Sequence, residues 1–160
     1  MRQGQGSAGT MLLECIDPHK NKWRVRWNVK PIEGSNDVVY TEEDFNHKPT
    51  LDEVKELITA QINADIDNKI LTGFVWNDMP VWLSSENQFN YKAAYDLAVQ
   101  TGGATLPVRF KFGIGDVPTY HTFNDLAELT DFYTKALAHV NTTLNNGWEA
   151  KDNIDWSKYE

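Results

Sequence analysis

Cys15 is the only thiol in the sequence, and His19, His47, His121 and His139 are its only imidazoles. Nucleophilic catalysis sets a Ser, Cys or Thr beside a base and an oxyanion site. Cys15 lies in the apolar run Met11-Leu12-Leu13-Glu14-Cys15-Ile16, which reads as a strand carrying a half-buried thiol. Ser84 and Ser85 stand where a helix cap belongs, and no Gly-x-Ser-x-Gly elbow occurs. The histidines are scattered without ligand spacing, and one cysteine allows neither an intrachain disulfide nor a cysteine zinc site. Asp65 and Asp67 lack the glycine and terminal glutamate of a calcium loop. The expectation is a non-enzyme with no catalytic residue, no metal and no cofactor.

Charged and aromatic residues make the remaining candidates. Glu42, Glu43 and Asp44 are adjacent carboxylates, the type glycosidases use in pairs. The favoured reading is that they face Arg24 and Arg26 across a sheet. Lys22, Arg24, Arg26 and Lys30 form a basic strip beside Trp23 and Trp27, on which bases could stack. Alternation puts the tryptophans and the arginines on opposite faces, so an aromatic core with a rim of extended arginines is expected. Gly113-x-Gly115 has no Walker lysine after it and reads as a hairpin turn. The six tryptophans suit core packing and interface anchoring better than a sugar site.

A formal net charge of −8 repels phosphate, so neither a nucleic acid nor an anionic membrane is an expected partner. No apolar run is long enough for a transmembrane helix. Residues 1–10 are rich in Gly, Gln and Ser and lack the apolar stretch of a secretory signal. They read as a flexible arm, and synthesis in a cytoplasm is expected.

The elements that must position these residues can be read from periodicity. Met11–Ile16, Lys22–Lys30 and Val38–Thr41 are strand candidates, separated by the turn Asp17-Pro18-His19-Lys20-Asn21 and a Gly/Ser/Asn loop. In the second, Trp23, Val25, Trp27 and Val29 alternate with Arg24, Arg26, Asn28 and Lys30. The fold expected for 11–47 is an antiparallel meander with one buried face. Thr50-Leu51-Asp52-Glu53 is a capping box, and Leu51, Val54, Ile58, Ile62, Ile66 and Ile70 form the stripe of a helix that Gly73 stops. Phe74–Trp76, the turn Asn77-Asp78 and Met79–Leu83 read as a tight hairpin, with Pro80 marking an edge strand. Ser85-Glu86-Asn87-Gln88 then caps a helix that runs to about Gln100 and ends at Gly102-Gly103. Val108–Phe112, the turn Gly113–Asp116 and Thr119–His121 repeat the hairpin. Thr122 or Asn124 caps a last helix, with the stripe Leu126, Leu129, Tyr133, Ala136, Val140 and Leu144, closed by Gly147. The fold class is α+β: a meander, a helix and two hairpin–helix units. Residues 48–147 join the meander in one compact domain, and 148–160 form a short acidic, aromatic tail.

Three stretches carry a family resemblance: Ile70-Leu71-Thr72-Gly73-Phe74-Val75-Trp76-Asn77-Asp78, Asn87-Gln88-Phe89-Asn90-Tyr91-Lys92-Ala93-Ala94, and Ala138-His139-Val140-Asn141. With them, residues from about Leu57 to Trp148 resemble a phage-encoded family of small domains of unknown function found among tail genes. The end of the chain, Gly147-Trp148 through Ile154-Asp155-Trp156-Ser157-Lys158-Tyr159-Glu160, is similar to prophage proteins of Bacteroides-type bacteria. The resemblance supplies no site residues and leaves the meander outside it. It implies a tail or virion structural protein, made in the host cytoplasm and then built into the particle. Its partners would be other phage structural proteins or further copies of itself. A tail-fibre assembly chaperone and a carbohydrate-binding module for host surfaces are the alternatives. Trp76, Trp82, Trp148, Trp156 and Tyr159 are the expected partner-binding residues, and the Met79–Leu83 edge is an expected acceptor of another chain's strand.

Overall fold

The computed structural model describes residues 1–113 and 118–160. The expected turn at Gly113–Asp116 therefore lies largely outside the described residues. The fold is α+β, with a four-stranded antiparallel sheet followed by a helix and two hairpin–helix units. The strands are β1 (Arg2–Ser7), β2 (Leu13–Asp17), β3 (Lys22–Pro31), β4 (Asp37–Phe45), β5 (Phe74–Trp76), β6 (Met79–Val81), β7 (Val108–Phe112) and β8 (Thr119–Phe123). The helices are α1 (Leu51–Thr72), α2 (Ser85–Gln100) and α3 (Leu126–Asp152), with a closing 3-10 turn at Trp156–Tyr159. The chain forms two compact units, 1–61 with 153–160, and 62–152. Their boundary falls inside α1, where the sequence pattern suggests a single domain reaching back to residue 11.

In the first unit the sheet order is β1-β4-β3-β2. Residues 2–7 are thus a strand, not the flexible arm their composition suggests. Gly4 and Gly6 are the reason. A Cβ on either would press into the Tyr40 side chain, so their bare backbone lets that ring lie across β1. The Tyr40 hydroxyl then donates to the Gln5 carbonyl oxygen at 3.1 Å. An aromatic ring covering strand glycines restores the packing that the missing side chains lose.

Strand β3 alternates only as far as Trp27. Val25 and Trp27 are buried, whereas Val29, expected on the same face, is 43% exposed. The register with β4 shifts between Trp27 and Lys30, and Asn28 takes a left-handed φ of 53°. This bulge inserts an extra residue and reverses the facing of the residues after it. Asp17 caps the 3-10 turn at Pro18–Lys20 by accepting from the His19 and Lys20 amides.

The helix starts show local chemistry plainly. Thr50 accepts from the Glu53 amide at 3.3 Å, and Glu53 accepts from the Thr50 amide at 2.7 Å, completing the expected capping box. For α2 the cap is Ser84, one residue earlier than expected, accepting from the Asn87 amide at 3.2 Å. For α3 it is Asp125, accepting from the Glu128 amide at 2.9 Å, in place of Thr122 or Asn124. Gly102 and Gly103, both with positive φ, close α2 by donating to Val99 and Ala98 carbonyls.

The core of the second unit is aromatic. Trp76, Tyr91, Phe112, Phe123 and Phe132 are buried together with Phe74, Val81, Leu83 and Leu129. The turn of the first hairpin, Asn77-Asp78, has φ of 48° and 61°, the two left-handed residues a type I′ turn requires. Gly147 does not close α3, which runs on to Asp152. It is buried, and a Cβ there would overlap the Ile66 side chain. The glycine permits close approach of α1 and α3.

Candidate interaction surfaces

The aromatic residues expected to bind partners divide sharply by burial. Trp76 is 2% exposed and belongs to the core. Its ring meets Phe112, Phe123, Phe132 and His121, and its indole N–H donates to Asp131 at 3.0 Å. Tyr159 is 4% exposed and is spent on its own chain, since its hydroxyl donates to the Arg26 carbonyl oxygen. Trp156 is half-buried, with the Lys55 ammonium 5.9 Å from its ring centre. Only Trp82 and Trp148, 36% and 53% exposed, remain open to a partner. The Met79–Leu83 edge is also partly used, because the Gly113 amide donates to the Pro80 carbonyl oxygen at 2.9 Å.

In the first unit, the polar side of the sheet is an ionic network. Register sets Arg24 opposite Asp44 and Arg26 opposite Glu42, as alternation predicts. Arg24 grips Asp44 with two N–H groups, at 2.7 and 3.1 Å. The hydrogen bond from Arg24 holds the Asp44 carboxyl below its ordinary value. Glu42 accepts from Arg2 at 2.7 Å and from Arg26 at 3.3 Å. Arg26 also reaches Glu14 at 2.8 Å and donates to the Met11 carbonyl oxygen at 2.8 Å, while its guanidinium lies 5.3 Å from the Tyr40 ring centre. Arg26 and Glu42 are 6% and 5% exposed, so the expected exposed arginine rim is instead a buried cation with matched partners. Each charge of this group is answered within the sheet, which makes the network a structural device and not an open anion site.

The second unit carries an open apolar groove. Its walls come from α2 and α3: Phe89, Tyr133, Leu137 and Val140 line a hollow of about 210 Å³, with Leu83 and Tyr91 among its other residues. Phe89 is 71% exposed and Leu137 is 45% exposed. Leu97, 50% exposed, continues the Phe89-Ala93-Leu97 row along α2. The helix is thus apolar on two sides, with Tyr91 and Ala98 buried on one and this row facing outward on the other. Tyr91 packs its ring against Phe110 and Phe132 at 4.7 and 5.1 Å, and among the described residues its buried hydroxyl has no hydrogen-bond partner. Burial pushes that hydroxyl's pKa up to about 12. The sequence did not reveal the groove: Tyr133 and Val140 fall on the apolar stripe of α3, and the structure sets Phe89 and Leu137 beside them.

Among the described residues, no group of three or more His, Cys, Asp and Glu side chains could hold a metal ion. No described helix is long and apolar enough to cross a membrane. His121 pairs with Glu128 at 2.8 Å, His47 with Glu53 at 3.0 Å, and His139 with the Lys69 carbonyl oxygen at 3.0 Å.

Residues 53–160 match the family described as Domain of unknown function (DUF4376), and the chain belongs to that family. No curated protein and no solved structure matches it.

Proposed function

We propose that this DUF4376 member is a structural protein of a bacteriophage tail that works by docking other proteins, without catalysing a reaction. The observation that carries the docking reading is the α2–α3 groove, where Phe89 and Leu137 stand exposed at the rim of a hollow of about 210 Å³. Contiguous exposed apolar surface of this kind marks protein contact sites, and aromatic side chains beside a pocket supply most of the binding energy there. Burying a phenylalanine side chain alone is worth about 1.5–3 kcal/mol. Against an acidic chain of net charge −8, an apolar groove offers a contact that long-range repulsion does not govern.

The tail assignment rests on the resemblance of residues 57–148, and of the C-terminal stretch, to tail-region and prophage proteins. The partner on this reading is another phage structural protein or a further copy of the chain. Quantitative mass spectrometry of purified particles from the source phage or induced prophage tests it. A fixed ratio of this chain to other tail proteins is expected. Expression in producing cells with absence from particles would sink the structural reading and favour the assembly chaperone.

A further inference from the structure

We propose that the outer face of the β7–β8 hairpin is a docking site for an extended, acidic segment of a partner protein, with carboxylates two residues apart. Arg109 and Lys111 stand at alternate positions of β7, and both are exposed. Alternation places them on one side of the hairpin, while Phe112 is buried on the other. Residues two apart on a strand are separated by about 7 Å.

Arg109 is held in place. It is registered opposite Thr122, yet its guanidinium leans diagonally over Tyr120, 4.2 Å from the ring centre. A cation over an aromatic face at this range is stabilised without being neutralised. Tyr120 itself is 51% exposed, so the pair sits in the open.

The charge pattern says what would answer it. The sequence has 23 acidic residues against 15 Lys and Arg. Its other arginines, Arg2, Arg24 and Arg26, are all in ion pairs. Among the described residues, neither Arg109 nor Lys111 has a carboxylate partner, despite that acidic excess. Lys111 also lines a hollow of about 280 Å³ with Trp82, Asn87, Phe112 and Gly113. An apolar side chain two residues beyond the acid that meets Lys111 would face the same way and find the Trp82 ring there.

An extended peptide repeats its side-chain direction every second residue. An Asp-x-Asp or Glu-x-Glu segment therefore presents its carboxylates at the spacing of the two cations. Charge-assisted hydrogen bonds to arginine and lysine are the stronger kind. A short segment feels mainly the local pair, because fields fade within a Debye length of about 8–10 Å. A long polyanion would meet the repulsion of the whole acidic surface, which disfavours nucleic acid at the same site.

The test is an NMR titration of the full chain with a ten-residue peptide containing Leu-Ser-Asp-Ser-Asp-Ser-Leu, whose acids and leucines face one side when extended. Saturable shifts at the Arg109 side chain and the Trp82 indole are expected, weakened by added salt. The double variant Arg109→Gln/Lys111→Gln, at two exposed positions, should keep its amide spectrum elsewhere and bind at least tenfold more weakly. No saturable shift with the peptide, or equal binding by the variant, would overturn the proposal. So would equally tight binding of a single-stranded oligonucleotide of matched charge, which would make the face a general anion attractor.

Discussion

The Tyr159 hydroxyl donates to the Arg26 carbonyl oxygen at 2.9 Å, joining positions 133 residues apart in sequence. The final residues are thereby part of the first unit, returned to it after the chain has built the whole second unit. Tyr159→Phe should cost about 1 kcal/mol, the net value of one hydrogen bond. Tyr159→Ala should cost about 3–5 kcal/mol, the usual loss for a large buried aromatic. Urea denaturation of the two variants distinguishes hydrogen bonding from ring packing. Equal losses would place the contribution in the hydroxyl alone.

Alkaline pH gives a second prediction. Burial pushes the hydroxyls of both Tyr91 and Tyr159 up to about 12. In the unfolded chain a tyrosine ionises near 10. The fold therefore favours the protonated form, and the stability linked to it is complete below pH ~10 and lost as pH rises through ~12. Thermal midpoints should fall across that window, and Tyr159→Phe should shallow the fall. Difference titrations at the tyrosinate band, wild type against Tyr91→Phe and against Tyr159→Phe, should each place the missing step at about 12; a missing step near 10 would contradict the burial argument.

Gly147 makes a third. Alanine normally gains about 1 kcal/mol over glycine inside a helix. Here a Cβ overlaps Ile66, a branched and stiff side chain, so Gly147→Ala should destabilise by about 1–3 kcal/mol. In a double-mutant cycle, Ile66→Ala should relieve much of that cost. Additive losses would mean that the two positions are independent.

The buried ion pair makes a fourth. Glu42→Leu leaves Arg26, still paired with Glu14, without the buried carboxylate directly opposite it, and should cost about 3 kcal/mol. The paired change Arg26→Met/Glu42→Leu should cost less than Glu42→Leu alone, because no buried charge is then left behind. Chemical denaturation of the two variants decides it, and the opposite order would show that the network stabilises beyond the replacement of its charges.

Much of this is legible in the sequence because it is local. The capping box at Thr50 and Glu53, the Asn77-Asp78 turn, the α1 stripe and the cross-strand pairing of arginines with carboxylates each need only a few neighbouring residues or one alternation rule. The features that stay hidden depend on distant partners. Gly4 and Gly6 look like linker composition until Tyr40 lies over them. Trp76 looks like an anchor until four other rings surround it. Gly147 looks like a helix stop until Ile66 fills the space beside it. The bulge at Asn28 breaks the β3 alternation with no mark beyond an asparagine able to turn left-handed. The α2–α3 groove is hidden for another reason: Phe89 reads as core by type, and only its neighbours reveal that α2 is already buried on another side.

Docking into a particle through the α2–α3 groove is tested most directly by comparing particles assembled with the wild-type chain and with Phe89→Asp, by quantitative mass spectrometry. Phe89 is 71% exposed, so the variant should fold normally, which circular dichroism checks. A fixed ratio of wild-type chain to other tail proteins is expected, and at least a tenfold lower ratio for the variant. Absence of the wild-type chain from particles, or equal incorporation of both, would contradict docking through this groove.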